Sequence, residues 1–242
     1  MHKKTTVKKV DTSPYVFQKE KIKVKLSIRE LPWTEKQKAF IELAKHSDTK
    51  VILVNGPAGT SKTLLAMYVG LTLLNEHRLS DMVLIRSAVE SSDSKLGYLP
   101  GDANEKMGVY ATPFHDKLAE LISEQNEKAL TTDGRINIIP INYARGLHWA
   151  AKFVFCDESQ NMSKNELKTL MTRIGEFSKV ILAGDSEQSD LPKGKSGWKD
   201  VVGLFDTMEA QKQGVFCVTF DEEDILRSEL CKFVVEQFHK LQ

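Results

Sequence analysis

Val51-Ile52-Leu53-Val54-Asn55-Gly56-Pro57-Ala58-Gly59-Thr60-Ser61-Lys62-Thr63 is the stretch that decides the fold. A run of apolar, mostly β-branched residues reads as a buried strand. It feeds a glycine turn, and Lys62-Thr63 then heads a segment with helical character. Strand, glycine loop and helix in that order make a phosphate-binding loop. Gly56 and Gly59 let backbone N–H groups close on a polyphosphate, and Pro57, Ala58, Thr60 and Ser61 complete the cradle. Lys62 reaches the outer phosphates, and the Thr63 hydroxyl can ligate Mg²⁺. Ser61 departs from the usual pattern, standing where a third glycine is expected. Its N–H survives that change. An ordinary Gly-rich β–α turn is the plainer reading of the same residues.

A second buried-strand run, Phe153-Val154-Phe155-Cys156, ends in Asp157-Glu158. Acidic residues at the carboxyl edge of a strand can face a phosphate loop on a neighbouring parallel strand. Asp157 is suited to hold Mg²⁺, and Glu158 to orient and deprotonate an attacking water. The alternative is that these acids start the next helix, but Ser163 and Glu166 already form a capping box there. The pairing of the two motifs points to a nucleoside triphosphate site.

Outward from these motifs the chain alternates. A capping box at Thr34 and Gln37 opens a helix over 35–45. Strands follow at 82–86, 136–139, 152–156, 179–183 and 215–218. Helices are expected from Lys62, near 114–126, and over 164–174, 198–206 and 224–240. Strands separated by helices predict an α/β domain with a mostly parallel sheet covered on both faces. Residues 87–113, with Gly97, Pro100, Gly101 and Gly108, break the pattern and predict a long functional loop. Residues 21–28 alternate Ile22, Val24, Leu26 and Ile28 with Lys21, Lys23, Lys25 and Ser27. That period predicts an edge strand whose lysines guard the edge or touch nucleic acid.

Charge is unevenly distributed in the 242 residues. Residues 1–30 hold nine Lys/Arg against three acids, a net +6, so a total of +1 leaves the remainder at −5. A basic arm over 1–30 therefore precedes a body over 31–242 that is no general polyanion binder. Three cysteines in apolar contexts, without metal-ligand spacing, read as reduced core thiols of a cytoplasmic protein. No apolar run reaches membrane-spanning length.

Other residues carry chemistry of their own. Gln188 follows the strand at 179–183, where an amide can touch the γ-phosphate or its water; a solvent loop is the alternative. Gln37 has the donor and acceptor that adenine's edge requires, although capping alone explains it equally. Arg86 and Arg145 can hold nucleic-acid phosphates. Arg227 lies in a segment opened by Asp221, Glu222, Glu223 and Asp224, which can pair with it.

Gly-Pro-Ala-Gly-Thr-x-Lys-Thr, Lys95-Leu-Gly-Tyr-Leu-Pro-Gly101, Asp157-Glu-Ser-Gln-Asn161, Gly184-Asp-x-x-Gln-x-Asp190 and Ser196-Gly-Trp-Lys-Asp200 follow in order. From about Leu31 to Phe238 the chain resembles the PhoH-like proteins, P-loop ATPases related to the superfamily 1 helicase core. The resemblance implies a RecA-like fold, ATP and Mg²⁺ as cofactors, and hydrolysis linked to RNA or single-stranded nucleic acid. It implies Gln37 against adenine, Gly56 to Thr63 around the phosphates, and Asp157 and Glu158 for Mg²⁺ and water. Gln188 falls to the γ-phosphate and Arg227 to an arginine finger. Ser87 stands where a proline commonly follows Arg86. A short bacterial or phage-encoded form without a preceding nuclease-type domain is expected. A finger supplied in trans favours a ring of like subunits, a hexamer as the family suggests. The rival readings are an ATP-gated oligomeric regulatory module with slow hydrolysis and a P-loop kinase.

Overall fold

The computed structural model describes residues 25–87, 103–144, 146–225 and 237. Six strands form one sheet in the order β3-β2-β4-β5-β1-β6, and every neighbouring pair is parallel. The strands are β1 (Val51–Asn55), β2 (Asp81–Arg86), β3 (Ile136–Pro140), β4 (Lys152–Asp157), β5 (Lys179–Gly184) and β6 (Val215–Thr219). The helices are α1 (Glu35–Lys45), α2 (Lys62–Asn75), α3 (Ala103–Leu121), α4 (Glu124–Thr132), α5 (Lys164–Met171), α6 (Trp198–Phe205) and α7 (Met208–Lys212).

Alternate residues of each central strand enter two cores. Ile52, Leu84, Phe155 and Ile181 join α1, α2 and α3 on one face. Leu53, Val83, Val154 and Leu182 join α5 and α6 on the other. Burial on both sides explains why these strands read as continuous apolar runs. Helix α2 is buried nearly all round, and Gly70 lets it approach the sheet: a Cβ there would lie 2.7 Å from Phe153. Both expected capping boxes, Thr34 with Gln37 and Ser163 with Glu166, are present.

Four expectations change. The two motif strands are not neighbours, because β5 lies between β1 and β4. Residues 103–113 belong to α3 rather than to a loop. Gly108 and Pro113 sit inside that helix, while Phe114, Leu118 and Leu121 pack into the core about one turn apart. The helix near 114–126 is two helices, divided where the Ser123 side chain accepts from the Asn126 N–H and starts α4. Residues 25–28 alternate in burial as predicted, yet no strand forms there. The Asn75 side chain takes the place of a partner strand: its Oδ1 accepts from the Leu26 N–H (2.8 Å) and its Nδ2 donates to the Leu26 carbonyl (3.2 Å). Residues 21–24 lie outside the described residues. So does most of the helix expected over 224–240; at its start Asp224 closes a single 3-10 turn over Glu222–Asp224. Among the described residues no helix is long and apolar enough to cross a membrane.

Candidate functional site

Strands β1, β4 and β5 end at the same edge of the sheet, and a cleft of about 710 Å³ opens above them. Ala58, Gly59, Ser61, Lys62 and Thr63 line one side, and Asp157, Glu158, Gly184, Asp185 and Gln188 line the floor and far wall. The phosphate loop and the acidic strand end therefore meet across β5. The contact is direct: the Thr63 hydroxyl donates to Asp157 Oδ2 at 3.1 Å.

Local backbone geometry explains the loop. Gly56 must be glycine because a Cβ would fall 2.8 Å from the carbonyl oxygen of Phe220, the residue just after β6. Gly59 turns at φ 93°, and Ser61 adopts φ 63°, ψ 22° just before α2. A residue with a Cβ in that left-handed region carries strain of roughly 1–2 kcal/mol. The Ser61 side chain makes no capping bond in return. The Thr60 hydroxyl donates to the Pro57 carbonyl (3.0 Å), bracing the turn. Lys62 Nζ folds back onto the loop, donating to the carbonyls of Gly56 (2.6 Å) and Pro57 (2.9 Å).

Asp157 is 7% exposed. Burial, and next the neighbouring Glu158 charge, push its carboxyl up to about 6, against the opposing pull of Arg86 and the Thr63 hydrogen bond. A carboxylate and a hydroxyl 3.1 Å apart are the hard oxygen donors that Mg²⁺ takes when phosphates and waters complete its shell. Among the described residues no cluster of three or more His, Cys, Asp or Glu could hold a metal alone. The donor set thus fits an ion that arrives with its nucleotide.

Glu158 sits at φ 53°, turned out of the β4 line. Its Oε2 accepts from Gln160 Nε2 at 2.6 Å, and its Oε1 faces Arg86 Nη2 at 3.5 Å. Gln160 Oε1 in turn accepts from the Asp185 N–H (3.1 Å), tying β4 to β5. The next residue repeats the theme. Asn161 donates to Asp190 Oδ2 and accepts from the Asp190 N–H, both at 2.8 Å, which fixes the loop that presents Gln188. At the head of β1, Asn55 Oδ1 accepts from the Ser186 N–H (3.0 Å), the Ser186 hydroxyl (2.7 Å) and Trp198 Nε1 (3.0 Å). Trp198 fits because residue 184 is glycine; a Cβ there would lie 2.7 Å from its ring.

The structure thus brings the loop from Gly56 to Thr63 together with Asp157, Glu158 and Gln188. Gln37 behaves differently. It is fully buried and does not line the cleft, and its Oε1 accepts from the Thr34 N–H (3.1 Å) as the capping box requires. Its Nε2 has no hydrogen-bond partner among the described residues. Leu31, Pro32 and Trp33, just before α1, line the apolar end instead. Arg227 and Arg145 lie outside the described residues. The acids assigned to Arg227 have another partner, since Lys36 Nζ reaches Asp221 (2.8 Å) and Asp224 (2.7 Å). Sequence reasoning missed Gln160, Trp33, Lys117 and Glu120 as lining residues. Gln160 was within reach of it, as the polar residue two beyond Glu158. Lys117 and Glu120 enter from α3, whose beginning carries loop-like signals in the sequence.

Comparison with known proteins agrees with this architecture. Residues 30–239 match the family of PhoH-like proteins. A PhoH-like protein of Bacillus subtilis (strain 168) is 34% identical over 205 residues, covering 84% of this chain and 62% of that protein. One from Synechocystis sp. is 35% identical over 209 residues, covering 86% and 61%. The chain thus spans about three fifths of the length of these relatives. Among solved structures, the large terminase of a thermophilic bacteriophage superposes with a TM-score of 0.54 at 12% identity. That match covers 88% of this chain and 51% of the terminase, and it shows a shared P-loop fold alone. On the family match and on identity with its relatives, the chain belongs to the PhoH-like protein family.

Proposed function

We propose that the chain binds ATP with Mg²⁺ in this cleft, hydrolyses it, and couples hydrolysis to RNA or another single-stranded nucleic acid. One observation carries the reading: the Thr63 hydroxyl and the Asp157 carboxylate meet at 3.1 Å beneath the phosphate loop, with Glu158 beside them. Apolar Leu31, Pro32 and Trp33 suit a base at one end, and the loop suits phosphates at the other.

On binding, Lys62 Nζ exchanges two loop carbonyls for β- and γ-phosphate oxygens. Thr63 and Asp157 would hold Mg²⁺, which would supply positive charge to the phosphates. Glu158 takes a proton from water as the water oxygen attacks the γ-phosphorus and the bond to the β-phosphate oxygen breaks. Gln188 lines the same wall and orients that water or the γ-phosphate. The buried Gln37 amide nitrogen, without a hydrogen-bond partner among the described residues, is a donor of the kind adenine accepts, reached only if the start of α1 shifts. The reading includes an arginine finger, Arg227, supplied by a second copy in a ring. Mixing Arg227→Ala with Lys62→Ala subunits tests that part, since only a finger in trans restores intact sites.

The decisive experiment is the ATP turnover rate with Mg²⁺, with and without single-stranded RNA. Turnover that rises with RNA is expected; turnover absent under both conditions overturns the reading.

A further inference from the structure

Glu158 is held in a way that opposes its proposed task. Each carboxylate oxygen already faces a donor: Gln160 Nε2 at 2.6 Å on Oε2 and Arg86 Nη2 at 3.5 Å on Oε1. A general base needs an oxygen directed at water, within hydrogen-bond reach. The Gln160 bond is short and braced from behind by Asp185, so it fixes the carboxylate's orientation. The Arg86 contact is long and partly exposed, with side-chain exposures of 27% for Arg86 and 38% for Glu158. It is the contact that can let go.

Register explains why this arginine reaches the base. Arg86 is the last residue of β2, paired with Asp157 of β4, so its side chain projects past the strand end toward residue 158. The next residue is tied down, because the Ser87 hydroxyl donates to the Asn161 carbonyl at 2.7 Å. Asn161 holds Asp190 and hence the loop with Gln188. The end of β2 is thus bonded both to Glu158 and, through Asn161, to the loop that presents Gln188, while the Arg86 side chain stays 27% exposed.

The geometry points to Arg86 as a positioning residue that restrains Glu158 until an anion takes the guanidinium away. The anion is a backbone phosphate of single-stranded nucleic acid, and the inference rests on the ATPase reading above. A guanidinium binds a phosphate bidentately, a better partner than one carboxylate oxygen at 3.5 Å. When the phosphate holds Arg86, Oε1 is released toward water while Gln160 keeps Oε2 in place. Nucleic-acid binding and hydrolysis are coupled through this single contact. Coupling is reciprocal in binding: removing the Glu158 charge should leave Arg86 more available to phosphate.

The test compares parent protein, Arg86→Gln and Arg86→Lys in steady-state ATP turnover with and without a single-stranded RNA oligonucleotide. Without ATP, the RNA affinity of the same proteins and of Glu158→Gln is measured by fluorescence anisotropy across salt concentrations. Arg86→Gln should raise RNA-independent kcat by about two- to fivefold, the range that a partly exposed ion pair supports. The KM for ATP should stay unchanged and RNA stimulation should disappear. Its RNA salt slope should flatten by about 0.7, the loss of one single-strand phosphate contact. Arg86→Lys, which keeps the charge but loses the fork, should fall between. Glu158→Gln should bind RNA more tightly than the parent. A purely structural Arg86 would lower kcat and melting temperature together, and that result overturns the assignment. So does an Arg86→Gln protein with full stimulation and an unchanged salt slope, or equal stimulation by inorganic phosphate. If the parent protein hydrolyses no ATP, the ATPase reading fails by itself, and the salt slopes and the Glu158→Gln affinity still decide the Arg86 contact.

Discussion

The two ends of the central strands treat buried charge in opposite ways. At the amino-terminal edge Asp81, 1% exposed, begins β2 and faces Lys152 Nζ at 2.6 Å and Arg135 Nη1 at 3.8 Å. Lys179 begins β5 there, 8% exposed, and donates to the carbonyls of His46 and Thr49. At the carboxyl edge the same sheet ends in Asp157, 7% exposed, which has a hydroxyl beside it and no ion pair among the described residues. Burial and the Glu158 charge raise its carboxyl to about 6. At the first edge the protein's own groups hold both charges, Asp81 by Lys152 and Arg135 and Lys179 by backbone carbonyls, and their work is structural. Asp157 at the second has no such partner among the described residues, and this is where the proposed cation and phosphate would sit.

The largest effect expected from this contrast is on rate. Glu158→Gln keeps the shape of the side chain but removes the proposed proton acceptor. ATP binding should persist while kcat falls by about 10²–10⁴. Parallel measurements of nucleotide affinity and steady-state turnover check it, and parental turnover in the variant would break the contrast at its functional end. The matching change at the structural end is Asp81→Ala, which leaves Arg135 and Lys152 without the carboxylate between them. Removing one partner of a buried pair costs about 3 kcal/mol here, the low end of the usual range because Lys152 is 29% exposed. Urea unfolding checks this, and nucleotide affinity should be unchanged where the variant is folded. A loss below about 1 kcal/mol would mean that the Asp81 cluster is as poorly compensated as the nucleotide edge.

How far each edge was legible follows from sequence separation. The phosphate loop, both capping boxes and the parallel α/β pattern depend on residues within a few positions of one another, and all are present. Asp157 and Glu158 were legible because a strand run fixes where its acidic end must lie. The Arg86–Glu158 and Asn55–Trp198 contacts join residues 72 and 143 positions apart, and no local pattern encodes them. Strand order is equally hidden, so the insertion of β5 between the two motif strands has no local signal. At α3 local signals misled outright: Gly108 and Pro113 are breakers, but burial of Phe114, Leu118 and Leu121 outweighs them.

Lys179 sharpens the comparison through pH. Burial pulls its ammonium down from 10.5 to about 8, with the Arg78 charge adding to the effect. Between about pH 8 and 10.5 the unfolded chain holds this proton and the folded chain does not. Stability contributed by the site therefore rises with pH across that window and is flat below it. Lys179→Met removes the titration but retains an unbranched apolar stem. The stability of the parent relative to this variant should increase by about 1–2 kcal/mol from pH 8 to 10.5, as measured by urea unfolding at several pH values. A constant difference would mean that the His46 and Thr49 carbonyls hold the proton on Lys179 throughout.

The smallest effect concerns left-handed backbone, which occurs at both edges. His77 (φ 56°) ends α2 near the amino-terminal edge, where the next N–H, of Arg78, reaches back to the Leu73 carbonyl at 3.0 Å. Ser61 (φ 63°) begins the same helix at the nucleotide edge with no capping bond from its side chain. Glycine relieves roughly 1–2 kcal/mol of steric cost at such a position. It returns about 0.5–1 kcal/mol through the freer unfolded chain. Ser61→Gly and His77→Gly should therefore each stabilise by about 0.5 kcal/mol, a rise of about 1–2 °C in Tm. Ser61→Ala keeps the Cβ and should gain nothing. What separates the two edges is turnover. Ser61 lines the cleft beside Lys62, so relaxing its backbone changes how the loop closes on phosphates, and ATP kinetics should shift in Ser61→Gly alone. A Ser61→Gly protein less stable than its parent would show that the hydroxyl holds the loop. Equal kinetics in parent, Ser61→Gly and His77→Gly would make the strain at residue 61 a helix-start accident, no different from the one at the far end of α2.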